Sequence, residues 1–155
     1  MLSKKLRAFL DDNEIRYVIA KHSAAFTSQE IAQTVHVKGQ GFAKTVMVRV
    51  DGKMAMAVLP ATFKVDFDLL KDAIGADDVE LATEEEFKSE FPDCEVGAMP
   101  PFGNLYGMDV YMASGLTEDD QIAFNAGTHT DVVQMAFGDF TRLVEPKVIR
   151  FSVPA

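Results

Sequence analysis

Two strand-like runs separated by the pair Asp51-Gly52 constrain the fold of this 155-residue chain more than any other feature. The first run is GFAKTVMVRV, residues 41–50, and the second is KMAMAVLP, residues 53–60. Asp-Gly favours the positive φ angles of a type I′ turn, which joins two antiparallel strands. The chain is therefore predicted to contain a β-hairpin in its first half.

A lysine in the first strand of this hairpin is unusual because it shares a face with valines. Side chains of a strand alternate between two faces, so Lys44 points with Val46, Val48 and Val50, and Thr45 points the other way. Two interpretations are open: Lys44 extends past the sheet edge into water, or it lies at the floor of a pocket. In a pocket, desolvation lowers the pKa of lysine and an anion restores the charged form, which suits a phosphate-bearing ligand.

The remaining periodicity predicts an α+β fold. Helical spacing and capping residues occur over residues 3–13, 27–39, 66–75, 83–91 and 138–145. Short β-branched or aromatic runs occur over residues 16–22, 108–113, 121–127, 129–137 and 147–153. The strands follow no regular βαβ rhythm, so we expect a mixed, largely antiparallel sheet, curled into a partial barrel with surrounding helices. We expect residues 1–155 to form a single domain.

Composition excludes several classes of protein. No apolar run approaches the roughly 20 residues that a membrane-spanning helix needs, so we expect a cytoplasmic protein without a membrane partner. Cys94 is the only cysteine, and His22, His36 and His129 are scattered, so we expect neither a disulfide nor a metal site. The formal net charge of −9 repels nucleic acid, which would need a local basic patch to bind.

Two loops could bind a ligand. The first, Gly97 to Gly103, combines flanking glycines with Pro100 and Pro101, which together give a rigid loop with exposed amide groups. The second, NAGTH, places Gly127 and His129 between two strand-like runs. A structural role is open for each loop, since a lone histidine is more often structural than functional.

Nucleophilic catalysis by the protein itself is poorly supported. Ser23 and Ser114 have no Gly-x-Ser-x-Gly setting, and Cys94 lies between Asp93 and Glu95, whose charges oppose thiolate formation. A Walker loop and a Rossmann fingerprint are also absent from the sequence. The sequence therefore argues against nucleotide hydrolysis and against chemistry with a nicotinamide cofactor.

Three elements in a fixed order carry a resemblance to a known family. They are GFAKTVMVRVDGKMAMAVLP, then VGAMPPFG, then NAGTHTDVVQMAFGDF. Together they resemble the YbaK-like family, which includes the editing insertion domain of bacterial prolyl-tRNA synthetases and its free-standing relatives. The resemblance extends from the helix near Thr27 to the final helix. It implies a mixed sheet or barrel, no cofactor, and hydrolysis of an amino acid wrongly esterified to the 3′ end of a tRNA.

The resemblance also implies roles for individual residues. Lys44 and His129 correspond to catalytic positions, and backbone N–H groups near Gly97 and Gly127 are expected to stabilise an oxyanion. Phe42, Met99 and Phe102 are candidate walls of a pocket that admits only small side chains, with core packing as the alternative. The expected substrate-binding residues are Phe42, Thr45, Gly97, Met99, Pro100, Pro101, Phe102, Gly103, Gly127 and Thr128.

The implied partner is the acceptor end of a mischarged tRNA, with an aminoacyl-tRNA synthetase as a candidate second partner. The double proline of MPPFG and Thr45 match no single specificity class, so the amino acid removed is left open. One alternative is a non-catalytic module that binds a ligand or tRNA as a regulator. Another is an interaction protein that docks a basic partner through the acidic helices around Glu84 to Glu90.

Overall fold

The structure, a computed structural model, describes residues 3–21, 42–118 and 120–155. The helix predicted from Thr27 to near Gly39 lies outside the described residues, as do Ser23, His22 and His36. The single domain over residues 1–155 stays a prediction.

Four α-helices lie within the described residues, and their ends follow the capping residues of the sequence. They are α1 Lys4–Asp12, α2 Phe67–Ile74, α3 Glu84–Phe87 and α4 Phe137–Val144. Ser3 Oγ accepts a hydrogen bond from the Leu6 amide and so caps α1. Asp66 caps α2 in the same way, and Gly75 ends it with φ of 66°. The helix predicted over 83–91 is shorter than expected, since α3 gives way to a 3₁₀ turn at Lys88–Glu90.

Ten short strands are described, most of them in one sheet. They are β1 Tyr17–Lys21, β2 Phe42–Val50, β3 Lys53–Pro60, β4 Phe63–Val65, β5 Val79–Leu81, β6 Asp109–Ala113, β7 Gln121–Asn125, β8 Asp131–Ala136, β9 Lys147–Ile149 and β10 Ser152–Pro154. The main sheet has the order β1-β8-β7-β2-β3-β6-β9, with β5 also paired to β2, and β4 pairs with β10 separately.

The predicted mixed α+β fold is confirmed. Strand β2 pairs antiparallel with β3 and β5, and β8 pairs antiparallel with β1 and β7. Parallel pairing is more extensive than expected, because it joins β2 to β7, β3 to β6 and β6 to β9. Among the described strands no pairing joins β1 to β9, so the sheet is open and the curl into a partial barrel is not confirmed.

The predicted hairpin is confirmed in its register and in its turn. Val50 pairs with Lys53, and Asp51 and Gly52 have φ of 50° and 82°. Both values are positive, as a type I′ turn requires. The register then places Lys44 opposite Leu59 on β3.

Strand β2 has one continuous edge and one divided edge. It pairs with β3 from Ala43 to Val50. On its other edge it pairs with β7 only through Phe42 and Ala43, and with β5 only through Val48 to Val50. The Met47 carbonyl also accepts from the Ala82 amide just after β5, at 3.0 Å. Residues 44–46 therefore border a gap between β7 and β5 among the described strands.

The two faces of the sheet bury separate apolar clusters. The main cluster includes Ala43, Met47 and Leu10 together with Phe102, which contacts Phe140 edge-on at 5.3 Å between ring centroids. The second cluster, on the opposite face, is built around Val48, Leu59, Leu70, Tyr111 and Phe151. A small third group of Phe42, Ala123 and Val132 lies on this second face, since Phe42 and Val48 are an even number of residues apart on β2.

The sequence prediction missed two three-residue strands and joined two others. Strands β4 and β5 are too short to show alternation, and they form only by pairing with distant partners. The single strand expected over 147–153 is two strands, β9 and β10, separated by Arg150 and the fully buried Phe151. The Phe151 carbonyl accepts a hydrogen bond from the Asp66 amide at 2.7 Å, which turns the chain away from β6.

We expect Phe102→Ala to lower the free energy of unfolding by about 3–5 kcal/mol, because the ring is fully buried and the surrounding side chains cannot close the cavity. Urea denaturation at neutral pH measures this loss. Leu81→Ala is the control, since Leu81 is 60% exposed and its truncation leaves no cavity. Equal losses in the two variants would contradict the placement of Phe102 in the main core.

Candidate functional site

Lys44 lies at the start of the gap in β2, on the second face of the sheet. Its backbone follows Ala43, the last residue of β2 that pairs with β7. Its side chain is half-buried and points to the face of Val46, Val48 and Phe42. The predicted grouping of this lysine with buried apolar side chains is therefore confirmed.

The environment of Lys44 disfavours its charge. Burial lowers the pKa of this lysine from its ordinary value of 10.5. No carboxylate among the described residues forms an ion pair with it, whereas Arg49 on the same strand pairs with Glu80 and Glu86. An incoming anion would therefore favour the charged form of Lys44 and raise its pKa again.

The chain before Pro100 forms a tight turn built on Gly97. The Ala98 amide donates to the Glu95 carbonyl at 3.0 Å, which closes a four-residue turn. Gly97 occupies its third position with φ of 86°, the value that a type II turn requires there. A Cβ added at Gly97 would lie 3.2 Å from Cε1 of His129, so the ring of that histidine lies against this turn.

The second loop is joined to this turn through Gly127. The Gly127 amide donates to the Ala98 carbonyl at 2.9 Å, and the Gly127 carbonyl accepts from the Glu95 amide at 2.7 Å. Gly127 has φ of 103°, and a Cβ there would lie 2.9 Å from the backbone nitrogen of Ser3. Only glycine fits this position without displacing the start of α1.

His129 is held at both its backbone and its ring. Its amide donates to Glu95 Oε1 at 2.8 Å, and its Nε2 lies 2.8 Å from the Val96 carbonyl oxygen. The side chain is otherwise exposed, so it can meet a ligand. The structure thus brings the two predicted loops into direct contact at His129.

A buried carboxylate supports the Gly127 loop from behind. Asp131 is 1% exposed, its Oδ2 accepts from Thr128 Oγ1 at 2.6 Å, and Thr128 Oγ1 accepts from the Asp131 amide at 3.0 Å. Burial acts to raise the pKa of Asp131, whereas the Thr128 hydrogen bond and the nearby Lys21 ammonium help to lower it. The lowering effects are larger, so the pKa lies below its ordinary value of 3.8. The Thr128 hydroxyl is therefore hydrogen-bonded to Asp131, in addition to its predicted contact with substrate.

Strand β7 connects the gap in β2 to the second loop. Asn125 is the last residue of β7 and follows Phe124, the partner of Ala43. Gly127 is two residues further on, on the order of 7 Å of extended chain. The gap in β2 and the paired loops are thus joined along the chain by the end of β7, and their joint use as one site stays a prediction.

Not every predicted substrate-binding residue lies where a ligand could reach it. Phe42 is on the face of Lys44 but is only 2% exposed, whereas Met99 and Phe102 belong to the main core on the other face. Thr45 also points toward that main core, because Ala43, two residues earlier on β2, and Val58, its partner on β3, both belong to the main core. Pro100, Pro101 and Gly103 are buried behind the turn. The roles of these residues in binding stay predictions.

The structure changes which amides are available to an oxyanion. Gly127 N–H is already bonded to the Ala98 carbonyl, and Ala98 N–H to the Glu95 carbonyl. Among the described residues, the amides of Gly97 and Thr128 donate to no acceptor. Donors near Gly97 and Gly127 are therefore still available to an oxyanion, but the Gly127 amide itself is not one of them.

Two supporting residues, Glu95 and Asp131, were not predicted from the sequence as part of the site. An acidic residue before a glycine turn is the only sequence signal for Glu95, and from the sequence its charge is expected only to oppose thiolate formation at Cys94. This expectation is confirmed for Asp93 and not for Glu95, since burial and then the Asp93 charge raise the pKa of Cys94 to about 11. A thiol of this kind is a poor nucleophile at neutral pH.

Known proteins resemble this chain over most of its length. A family model described as an aminoacyl-tRNA editing domain matches residues 22–143. The chain belongs to the aminoacyl-tRNA editing domain family. The predicted resemblance to YbaK-like proteins is thereby confirmed. Within the described residues, this editing-domain chain has no helix long and apolar enough to cross a membrane and no cluster of side chains suited to a metal ion.

Relatives of this editing domain include free-standing proteins and parts of synthetases. A protein of Escherichia coli strain K12 named multifunctional Ser/Thr-tRNA deacylase ProXp-y is 28% identical over 154 residues, covering 96% of this chain and 91% of the relative. A proline–tRNA ligase of Macrococcus caseolyticus is 26% identical over 129 residues, covering 77% of this chain and 22% of the ligase. A crystal structure titled as a candidate trans-editing enzyme for prolyl-tRNA synthetase superposes with a TM-score of 0.83 at 16% identity, covering 97% of this chain and 96% of that one.

We expect Lys44→Met to unfold at a temperature equal to or above that of the parent protein at pH 7, since it removes a desolvated charge. Because burial lowers the folded-state pKa, this cost is present while Lys44 is protonated and disappears as pH rises toward 10.5. Thermal denaturation across this pH range measures the difference. Arg49→Met is the control and should be destabilised, because it breaks the pairs with Glu80 and Glu86. A marked loss of stability in Lys44→Met would contradict this account of Lys44.

We expect Asp131→Asn to lose about 1–3 kcal/mol of stability at neutral pH, because the Thr128 hydroxyl and the Lys21 ammonium lose a buried anion. The folded-state pKa of Asp131 is lowered, so its contribution is present above 3.8 and is lost as pH falls through the folded value. Urea denaturation at neutral pH and below pH 3.8 should show the difference between parent and variant shrinking in acid. A difference independent of pH would contradict it.

Proposed function

We propose that this chain is a free-standing editing deacylase that hydrolyses the ester between a small amino acid and the 3′ end of a mischarged tRNA. The observation that carries the proposal is the match to the E. coli deacylase over 96% of this chain and 91% of that protein. A match of this extent relates the whole chain, including the Lys44 strand and both loops, to a protein named for this activity.

The reaction needs little activation by the protein, because an aminoacyl ester is already activated. Water adds to the ester carbonyl, the bond to the ribose oxygen breaks, and the released oxygen takes the proton that the water loses. Positioning of the water and stabilisation of the oxyanion are sufficient for such a step. No covalent intermediate with the enzyme is needed, which agrees with the raised pKa of Cys94.

Three groups in the candidate site suit these tasks. The Lys44 ammonium binds the phosphate or ester region of the terminal adenosine, and the approach of that anion offsets its lowered pKa. The amides of Gly97 and Thr128, which are unbonded among the described residues, donate to the oxyanion. His129 orients the amino acid or the attacking water.

Size exclusion supplies the choice of amino acid in this proposal. A small apolar-walled pocket admits small side chains and leaves a larger cognate side chain outside. Among the three predicted walls, Phe42 lies on the face of Lys44 and is the one best placed for this role. We propose serine and threonine as the first candidates, since the E. coli relative is named for them.

The partner of the site is the acceptor end of the tRNA. A net charge of −9 opposes a broad contact with RNA, so the proposed contact is small and centred on Lys44. Delivery by a synthetase would add affinity, and the match to part of a proline–tRNA ligase makes prolyl-tRNA synthetase the natural candidate. The proposed location of this activity is the cytoplasm, where tRNA is charged.

The test is hydrolysis of a panel of tRNAs charged with serine, threonine, alanine or cysteine. We expect the purified parent protein to release serine or threonine, and Lys44→Ala to do so with a kcat/KM about 10²–10³-fold lower, the loss typical of removing one partner of a partly buried charge contact. Lys53→Ala is the matched control, since Lys53 is an exposed lysine of the same hairpin and its loss changes the net charge equally.

The outcomes separate the proposal from its alternatives. Binding of the charged tRNA by the parent without release of any amino acid would favour a regulatory binding module. Equal rates in parent and Lys44→Ala would contradict the role of Lys44. A dependence on the acidic residues Glu84 to Glu90 only when a synthetase is present would support docking through α3 in addition to hydrolysis.

A further inference from the structure

The bond from the His129 ring to a backbone carbonyl determines which ring nitrogen is free. A carbonyl oxygen only accepts hydrogen bonds, so Nε2, which lies 2.8 Å from the Val96 oxygen, carries the proton in this contact. In the neutral ring the other nitrogen, Nδ1, then has an unshared lone pair. No described residue donates a hydrogen bond to Nδ1.

The backbone of His129 is fixed by a separate residue. Glu95 Oε1 accepts the His129 amide at 2.8 Å, although the two residues are 34 positions apart in the sequence. The Glu95 amide donates to Gly127 and the Glu95 carbonyl accepts from Ala98, so Glu95 uses its amide, its carbonyl and its side chain in one junction. Val96, whose carbonyl holds the ring, is the next residue in the chain.

This arrangement makes the two contacts on His129 interdependent. The side chain of Glu95 holds the backbone of His129, and the turn that begins at Glu95 presents the Val96 carbonyl to the ring. The ring also lies against Gly97, where a Cβ would approach Cε1 to 3.2 Å. Loss of the Glu95 carboxylate would free the His129 amide and let the ring leave the Val96 carbonyl.

We propose that Glu95 is a positioning residue that fixes the backbone of His129, so that Val96 holds Nε2–H and Nδ1 accepts a hydrogen bond from the substrate ammonium or the attacking water. This inference rests on the proposed deacylase function for its consequence, but the fixed ring is a property of the free protein. Glu95 touches no reacting atom in this assignment, and its effect passes through His129.

The first experiment measures the ring in the absence of substrate. Proteins labelled with ¹⁵N-histidine report by NMR which ring nitrogen of His129 is protonated, with His129→Gln used to assign its signals. We expect the parent to show one tautomer, protonated at Nε2, at a pH where the ring is neutral. Glu95→Ala should show averaged tautomers and faster exchange of the His129 amide hydrogen. Glu95→Gln should resemble the parent, because the amide oxygen of glutamine still accepts the His129 N–H.

The second experiment measures hydrolysis of Ser-tRNA or Thr-tRNA by the same proteins. We expect Glu95→Ala to lose about 10²-fold in kcat with a smaller change in KM, since misplacement of a reacting group by about 1 Å has effects of that size. Glu95→Gln should recover most of this loss. Asp72→Ala is the matched control, because it removes an exposed carboxylate from α2, a helix that supplies no residue to the candidate site.

The outcomes distinguish this inference from the proposed function. A His129 ring that is protonated at Nδ1 in the parent, or that is unchanged in a folded Glu95→Ala variant, would overturn the inference even if the protein is an active deacylase. A fixed Nε2–H tautomer that is lost in Glu95→Ala would support the positioning role, even if no charged tRNA is hydrolysed. In that second case the proposed function would fail and the positioning role would stand. Circular dichroism confirms that each variant is folded.

Discussion

The divided edge of β2 is the constraint on which the candidate site depends. A strand inside a sheet normally has both edges paired along its length, and its side chains are then enclosed by neighbours on each side. Here β7 leaves β2 after Ala43 and β5 joins it only at Val48. Lys44 is the first residue of the gap, and its half-buried side chain lies on the face of the apolar residues Val46 and Val48. The position of this lysine is therefore set by strand pairing.

The two loops at Gly97 and Gly127 are held by backbone geometry that few residues allow. Gly97 and Gly127 both have positive φ, and each lies within contact distance of another segment, His129 for the first and Ser3 for the second. Ser3 is in turn the cap of α1 and donates to Asp93 at 2.6 Å. The start of α1, the turn at Gly97 and the loop at Gly127 thus meet in one junction. Such a junction holds two loops rigidly without help from a disulfide or a metal.

Local features of the fold could be predicted from the sequence, whereas the burial of the loop residues could not. The turn at Asp51-Gly52 and the caps at Ser3 and Asp66 depend on adjacent residues, and all three are confirmed. Met99 and Phe102 lie in a loop, where no periodicity tells which side is buried, and packing of Phe102 against Phe124 and Phe140 decides it. The role of Glu95 could not be predicted either, since its partner His129 is 34 residues away and no local pattern relates the two.

The acidity of the protein and the chemistry of its site are compatible because they act over different distances. The net charge of −9 acts over about a Debye length of 8–10 Å and weakens contact with a polyanion. Lys44 acts at contact distance, in a place where burial has already removed part of its hydration. A phosphate that reaches it gains more than it would from an exposed lysine, because water screens the pair less. In the proposed function, weak overall attraction combined with one strong local contact would let the enzyme release each tRNA after inspecting its acceptor end.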